Sequence, residues 1–300
     1  MRLRLSPTIL PGRRPVNAAR CRGRPVLTAS TEPRRRAAPA STAEDGLFVG
    51  SVEKAFRVLG VFGRGARSMG LTEIARAADM DRSAAQRFTH TLERLGYLRK
   101  DPRTKHYELT VRTLDLGHRY VASNALVDRA APYMLDLSRA TEEAVSLTIP
   151  DGTEIVYLSR LLSRHVLQTN IQVGSRLPAY CTAPGRAMLS RMGRDAAQAL
   201  LERSDRIAYT PQTVTALPTL LARLDGAAEQ GFALAVGEIY PGDVSVAAAV
   251  IGADGAPVAA VNVAVSLARC APEAAVERFA PLVVAAAAAM SQSLPREAAR

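Results

Sequence analysis

Residues 81–95 read DRSAAQRFTHTLERL. Ala85, Phe88, Leu92 and Leu95 recur at steps of three and four, so they share one stripe of a helix. At about 100° per residue, Ser83, Gln86, His90 and Arg94 fall opposite, with Arg87 on the flank. Asp81 is placed to cap this helix, where a carboxylate accepts free backbone N–H groups and suits the helix dipole. Gly96 is placed to end it. The polar face, nearly free of acids, is either an ordinary solvated surface or one shaped for a polyanion. The flanking segments decide between the two.

Upstream, SVEKAFRVLGVF (51–62) puts Val52, Ala55, Phe56, Leu59 and Phe62 on one helical face. GRGARSMG reads as a loop. LTEIARAA reads as a short second helix, with Thr72 as its N-cap and Leu71, Ile74 and Ala75 turned inward. ADMD is a tight connection. Downstream, YLRKDPRTKHYEL alternates on either side of a loop holding Asp101 and Pro102, as a β-hairpin does. Helix, helix, turn, helix, hairpin is the order of a winged helix-turn-helix. In such a unit the third helix offers its outer face to the DNA major groove. Acids there would meet phosphates, whereas Ser, Gln, Arg and His bond base edges or backbone oxygens. The expected DNA contacts are Thr72, Arg82, Ser83, Gln86, Arg87 and His90, joined on the wing by Arg103 and Lys105 beside Arg99 and Lys100.

The charge distribution has the same bias. The net charge of +11 is carried by the first third: residues 1–46 hold ten Arg against three acids and residues 50–109 hold twelve Lys and Arg against seven. Residues 110–300 hold seventeen basic residues against eighteen acids, so the larger part is near neutral. Residues 1–46, rich in Arg, Pro, Ala and Ser without periodicity, are expected to form a disordered basic tail. An equal reading is that translation starts later, near Val26, Leu47 or Val49. The early Arg pair is followed by no secretory apolar stretch, and no run of about eighteen apolar residues predicts a membrane span. Cys21, Cys181 and Cys270 form no CxxC pair, and His90, His106, His118 and His165 have no metal-binding spacing. A cytoplasmic protein without disulfide, metal or cofactor is expected.

Residues 110–124 read as a linker helix. Its Leu114, Leu116, Tyr120 and Val121 pack either on a second protomer or within the chain, and the dimeric habit of helix-turn-helix proteins favours the first. The expected divisions are a winged helix-turn-helix at 47–109, a linker at 110–128 and a further domain at 129–296. That last part reads as α+β. Its expected elements are a helix at 131–140, a hairpin AVSLTI/EIVYLSR about Asp151 and Gly152, and a third strand VLQTNIQV. Three helices follow: TAPGRAMLSRM, DAAQALLER, and ALPTLLARLDGAAEQG closed by Gly231. A second hairpin SVAAAVI/PVAAVNVAVS turns at Asp254 and Gly255, and a last helix has an apolar run at 282–290 that is expected to be buried.

Catalysis finds little support. Cys181 precedes a helix start, but a reactive thiolate needs a His base, and His165 is the one histidine beyond the linker. Glu238 and Asp243, near glycines, read as loop caps. No GxGxxG or Walker motif is present. A binding site is better supported. VGSRLPAYCTAPGRAML runs from a turn into a helix start of the kind that holds anions. Arg160, Arg164, Arg176 and Arg186 offer charge, and Tyr180 a ring and a hydroxyl. The alternative for each Arg is an ordinary ion pair, and for Tyr180 a place in the core.

Three stretches carry a resemblance that spans residues 51–294. SVEKAFRVLGVF with LTEIARAADMDRSAAQRFTHTLERLGYLRKD, VGSRLPAYCTAPGRAMLS, and GFALAVGEIYPGDVSVAAAVIGADGAPVAAVNVAV resemble IclR-type transcriptional regulators. SAAQRFTHTLERLGYL, RLPAYCTAPGRAML and IYPGDVSVAA are similar to the branch that regulates protocatechuate, 4-hydroxybenzoate and β-ketoadipate pathways. The resemblance implies an α+β fold in which a winged helix-turn-helix is joined by a linker helix to a GAF-like effector-binding domain. It also implies homodimers or homotetramers that bind a double-stranded operator under control of a small carboxylate. The family's effector contacts fall at Ala183 and Pro184, at Ala235, at Ser245 and at Asn262. With Arg160, Arg176, Tyr180 and Thr182 they make up the candidate effector site. Ala235 has no side-chain acceptor and Pro184 no N–H. Both departures speak against the small keto-acid mode of some members and for an aromatic acid or ring-cleavage product. A keto-acid effector, and more remotely a Cys181-dependent enzyme, stand as alternatives.

Overall fold

Val58, Ile74, Ala78, Leu92, Leu98 and Tyr107 come from five separate segments and are buried together. Their core organises the N-terminal unit in the computed structural model, which describes residues 47–63, 65–165 and 170–295. The expectations for residues 1–46 lie outside the described residues. Helices α1 (Gly50–Leu59), α2 (Leu71–Ala77) and α3 (Arg82–Arg94) precede the hairpin β1 (Leu98–Lys100) and β2 (Tyr107–Leu109). Asp81 Oδ1 accepts from the Ala84 N–H at 2.8 Å, and Gly96 turns the chain at φ 79°. Thr110 ties the hairpin's exit to that turn: its N–H donates to the Tyr97 carbonyl at 2.9 Å and its hydroxyl to the Gly96 carbonyl at 2.5 Å.

Several local expectations need correction. The N-cap of α2 is Gly70, whose N–H donates to Glu73 Oε2 at 2.7 Å; Thr72 lies exposed within the first turn. Helix α1 buries Val58, while Val52 and Phe56 are 53% and 59% exposed, because its apolar stripe is wider than the surface that its neighbours cover. Leu95 lies past the last turn of α3 and is also exposed. Thr89 takes a place in the buried stripe instead, its hydroxyl satisfied by the Ala85 carbonyl at 2.8 Å.

The linker is two pieces. A 3-10 turn (Val111–Thr113) leads into α4 (Leu114–Ala122), and the chain breaks at Ser123. Asn124 Oδ1 then accepts from the Leu126 N–H at 3.1 Å and caps α5 (Ala125–Thr141). Helix α5 begins six residues before the expected start, with Pro132 inside it.

The rest of the chain is a six-stranded antiparallel sheet with helices on both faces. The strands are β3 (Ala144–Asp151), β4 (Glu154–Leu161), β5 (Arg176–Pro178), β6 (Ala233–Val236), β7 (Asp243–Ile251) and β8 (Pro257–Ser266), in the order β5-β4-β3-β8-β7-β6. Both expected hairpins form. The expected strand VLQTNIQV does not: its residues 166–169 lie outside the described residues, 170–173 are not in a strand, and β5 lies further on. One face of the sheet presents Val145, Leu147, Val246, Val261 and Val263 to α5 and to α9 (Pro272–Ser293). The other presents small and polar residues to α6 (Ala183–Leu189), with α7 (Arg194–Arg203) and α8 (Leu217–Gln230) packed outside it. Helix α9 is long and apolar enough to cross a membrane. It lies on the sheet, however, through Phe279, Val283, Ala287 and Met290, and leaves Leu282 exposed. Only 33% of its most apolar stretch is buried, where its composition suggested full burial.

Candidate functional site

The outer face of α3 is open. Arg82, Ser83, Gln86, Arg87, His90 and Arg94 are exposed, and the buried residues Ala84, Ala85, Thr89 and Leu92 hold the opposite side. Arg103 and Lys105 are exposed at the wing tip. Asp101 shapes that tip by accepting the Arg103 and Thr104 N–H groups at 2.7 and 2.9 Å, bonds that lower its pKa. Lys105 adopts φ 59°. Arg99 is held by Glu108 across the hairpin at 2.7 Å, and the Lys100 ammonium lies 5.1 Å from the Tyr107 ring centre. The wing's cations that are not held within the hairpin, Arg103 and Lys105, are therefore at its tip.

A second site lies between the polar face of the sheet and α6. It is a recess with about 450 Å³ of space not taken by atoms, part of it open to solvent. Seven expected effector residues line it: Arg160, Thr182, Ala183, Pro184, Ala235, Ser245 and Asn262. The strand register explains how they meet. Ser146 of β3 pairs with Arg160 of β4 on one side and Asn262 of β8 on the other, and Ser245 of β7 pairs with Ala235 of β6. Arg160 Nη1 donates to Ser146 Oγ at 3.0 Å, and Asn262 Nδ2 to Ser245 Oγ at 3.0 Å. Tyr157, Leu177, Ile171, Ile239 and Tyr240 complete a wall of rings and aliphatic groups. A cation set in such a wall suits a carboxylate on an apolar frame.

Arg176 and Tyr180 do not reach this recess. On β5, Leu177 faces the recess, so its neighbour Arg176 faces away; it bonds Asp151 Oδ2 at 2.5 Å and Glu154 Oε2 at 2.8 Å. Tyr180 is core: its hydroxyl donates to the Ile207 carbonyl at 2.5 Å, and burial pushes its pKa up. Arg164 pairs with Glu142 at the surface. Cys181 lines the recess, but burial drives its thiol up to about 12, so it stays protonated; His165 is exposed.

Two acids behave otherwise than as loop caps. Glu238 is almost fully buried and accepts from both terminal nitrogens of Arg186 at 2.6 Å, from Arg223 at 2.8 Å and from the Val214 N–H at 3.1 Å. It pins the segment after β6 to α6 and α8. Asp243 opens β7 and faces the recess. Burial raises its pKa to about 7, opposed by the charge of Arg160. Asp243 Oδ1 and Asn262 Oδ1 are buried without a hydrogen-bond partner among the described residues. Sequence reasoning missed Asp243 as a recess residue. The available signal was its spacing of two from Ser245, which puts both side chains on one face of a strand.

Residues 51–102 match the IclR helix-turn-helix domain, and residues 118–292 match the bacterial transcriptional regulator IclR C-terminal domain. The chain belongs to the IclR family. It is 32% identical over 240 residues to the Pca regulon regulatory protein of Pseudomonas putida, covering 80% of this chain and 82% of that one. It is 28% identical to the p-hydroxybenzoate hydroxylase transcriptional activator of Acinetobacter baylyi, over 79% of this chain and 88% of the relative. Among solved structures, a transcriptional regulator from Rhodococcus sp. RHA1 superposes with a TM-score of 0.73 at 34% identity, over 82% of this chain and 98% of that one. This IclR-family chain is thus a DNA-binding transcriptional regulator, and its relatives are regulators rather than enzymes.

Proposed function

We propose that this IclR-family regulator binds its operator through the outer face of α3 and the wing tip, as a homodimer or homotetramer. We further propose that a small carboxylate in the recess, an aromatic acid or a ring-cleavage product, modulates that binding in the cytoplasm. The observation that carries the ligand reading is Arg160, a cation at the floor of a recess walled by Tyr157, Tyr240, Ile239 and Ile171. Two relatives are named for the pca regulon and for p-hydroxybenzoate hydroxylase, which supports an aromatic acid. The recess also supports it over a small keto acid: Pro184 offers no N–H and Ala235 no side-chain acceptor for a compact polar ligand. Assembly is supported by α4, none of whose residues is buried and whose Leu114, Leu116 and Tyr120 are exposed.

A ligand shifts DNA affinity only by binding two arrangements of the protein unequally, typically by about 5–150-fold. The test is fluorescence anisotropy of labelled DNA taken from beside the gene, titrated at fixed salt with and without protocatechuate, 4-hydroxybenzoate and β-ketoadipate. One of them is expected to change the affinity, and Arg160→Ala to abolish the change while ligand-free DNA binding persists. A response intact in Arg160→Ala would remove Arg160 from the site. A response to pyruvate or glyoxylate alone would replace the aromatic acid.

A further inference from the structure

Resting on the reading of the recess as an effector site, we propose that Asp243 selects the ligand: the effector is a carboxylic acid that also bears a hydroxyl. The carboxylate lies toward Arg160, and the hydroxyl donates to Asp243.

The geometry supplies the argument. Asp243 and Ser245 are two apart on β7 and face the same side, with their α-carbons about 7 Å apart. Asn262 is bonded to Ser245 from the neighbouring strand. Asp243 and Asn262 therefore flank Ser245 on the recess floor, each with a buried oxygen that accepts from no described residue. Arg160 lies on the far side of β3 from Asn262 and interacts electrostatically with Asp243. The recess thus has a donor end and an acceptor end. An unsubstituted acid satisfies Arg160 but leaves the buried Asp243 Oδ1 without a donor. A hydroxyl on the far side of the ring supplies that donor. Sites with buried acceptors discriminate strongly against analogues that lack the donor.

The experiment is calorimetric titration of the full chain with two matched pairs, benzoate against 3,4-dihydroxybenzoate and succinate against malate. It is run on the parent, Asp243→Val and Asp243→Asn. The parent is expected to bind the hydroxylated member of at least one pair roughly 10–100-fold more tightly, the range for leaving a buried acceptor unsatisfied. Asp243→Val is expected to bring that ratio to within about twofold, by weakening the hydroxylated acid and strengthening the plain one; Asp243→Asn should keep part of it. Thermal melting of Asp243→Val should be no lower than the parent's, because a sealed carboxylate is being removed. A preference that survives in Asp243→Val, or a parent that binds both members alike, overturns the proposal. If only malate binds and its preference collapses in Asp243→Val, the aromatic reading falls and this inference stands. If none of the four binds, both fall.

Discussion

Gly185 meets a constraint that its neighbours escape. A Cβ built on it would lie 2.2 Å from the Ala179 carbonyl oxygen, so α6 rests on the preceding turn at a distance that only glycine allows. Gly185→Ala is expected to lift the helix start away from the recess. Stability should fall by about 1–3 kcal/mol, read from the urea midpoint at unchanged m-value; an unshifted midpoint would show that the contact relaxes freely. Asp243 makes a prediction of opposite character. Its pKa is 3.8 in the unfolded chain and about 7 in the fold, raised by burial and partly offset by Arg160. Between those values the fold holds a proton that the unfolded chain has released, so this contribution to stability is full below the lower pKa and lost as pH rises through the upper one. Asp243→Asn removes the dependence. The variant's melting temperature should gain on the parent's from about pH 4 to about pH 7 and then level off. A difference constant over that span would place the Asp243 carboxyl in ordinary solvent.

Among the elements, α3 was the most legible in sequence, because a 3.6-residue period, a capping Asp and a terminal Gly all state the same thing. Its exposed Gln86 and Arg87 are the side chains that reach base edges in the proposed docking. Gln86→Ala or Arg87→Ala should weaken specific operator binding by about 1–3 kcal/mol if a bidentate contact is lost, with little change on random DNA. Equal operator affinity in both variants would move recognition off this face. Other elements were hidden for identifiable reasons. Pro132 invites a helix start, and so masks the first turns of α5. The short apolar run of β6, ALAV, carries no period of its own. The positions that family motifs marked, Ala183 and Pro184 at the start of α6 and Ala235, Ser245 and Asn262 on strands, all line the recess. Arg176 failed because nearness to the motif does not say which side of a strand a residue takes, and Tyr180 because a buried ring with one carbonyl to satisfy looks the same in sequence as a ligand contact.

For the whole molecule, six of the exposed apolar residues lie on the first helix and the linker: Val52, Phe56, Val111, Leu114, Leu116 and Tyr120. A second protomer is expected to cover them. The double variant Phe56→Glu, Leu114→Glu should sediment as a smaller species and show a shallower salt dependence of DNA binding, because fewer phosphates are engaged per particle. Unchanged sedimentation would assign these residues another role. The break at Ser123 and Asn124 bears on how such an assembly responds. Helix α5 packs on β3, whose Ser146 touches Arg160 on the recess floor, and α4 extends from the other side of the break. Nine helical residues span about 13 Å, so a tilt of about 10° at the break carries the far end of α4 through about 2 Å. The longer helix, α5, lies against the sheet beneath the site, and the shorter, α4, leads to the DNA-reading head. In the proposed regulation, a movement of the sheet under a ligand would reach the break through α5 and leave it as a rotation of that head.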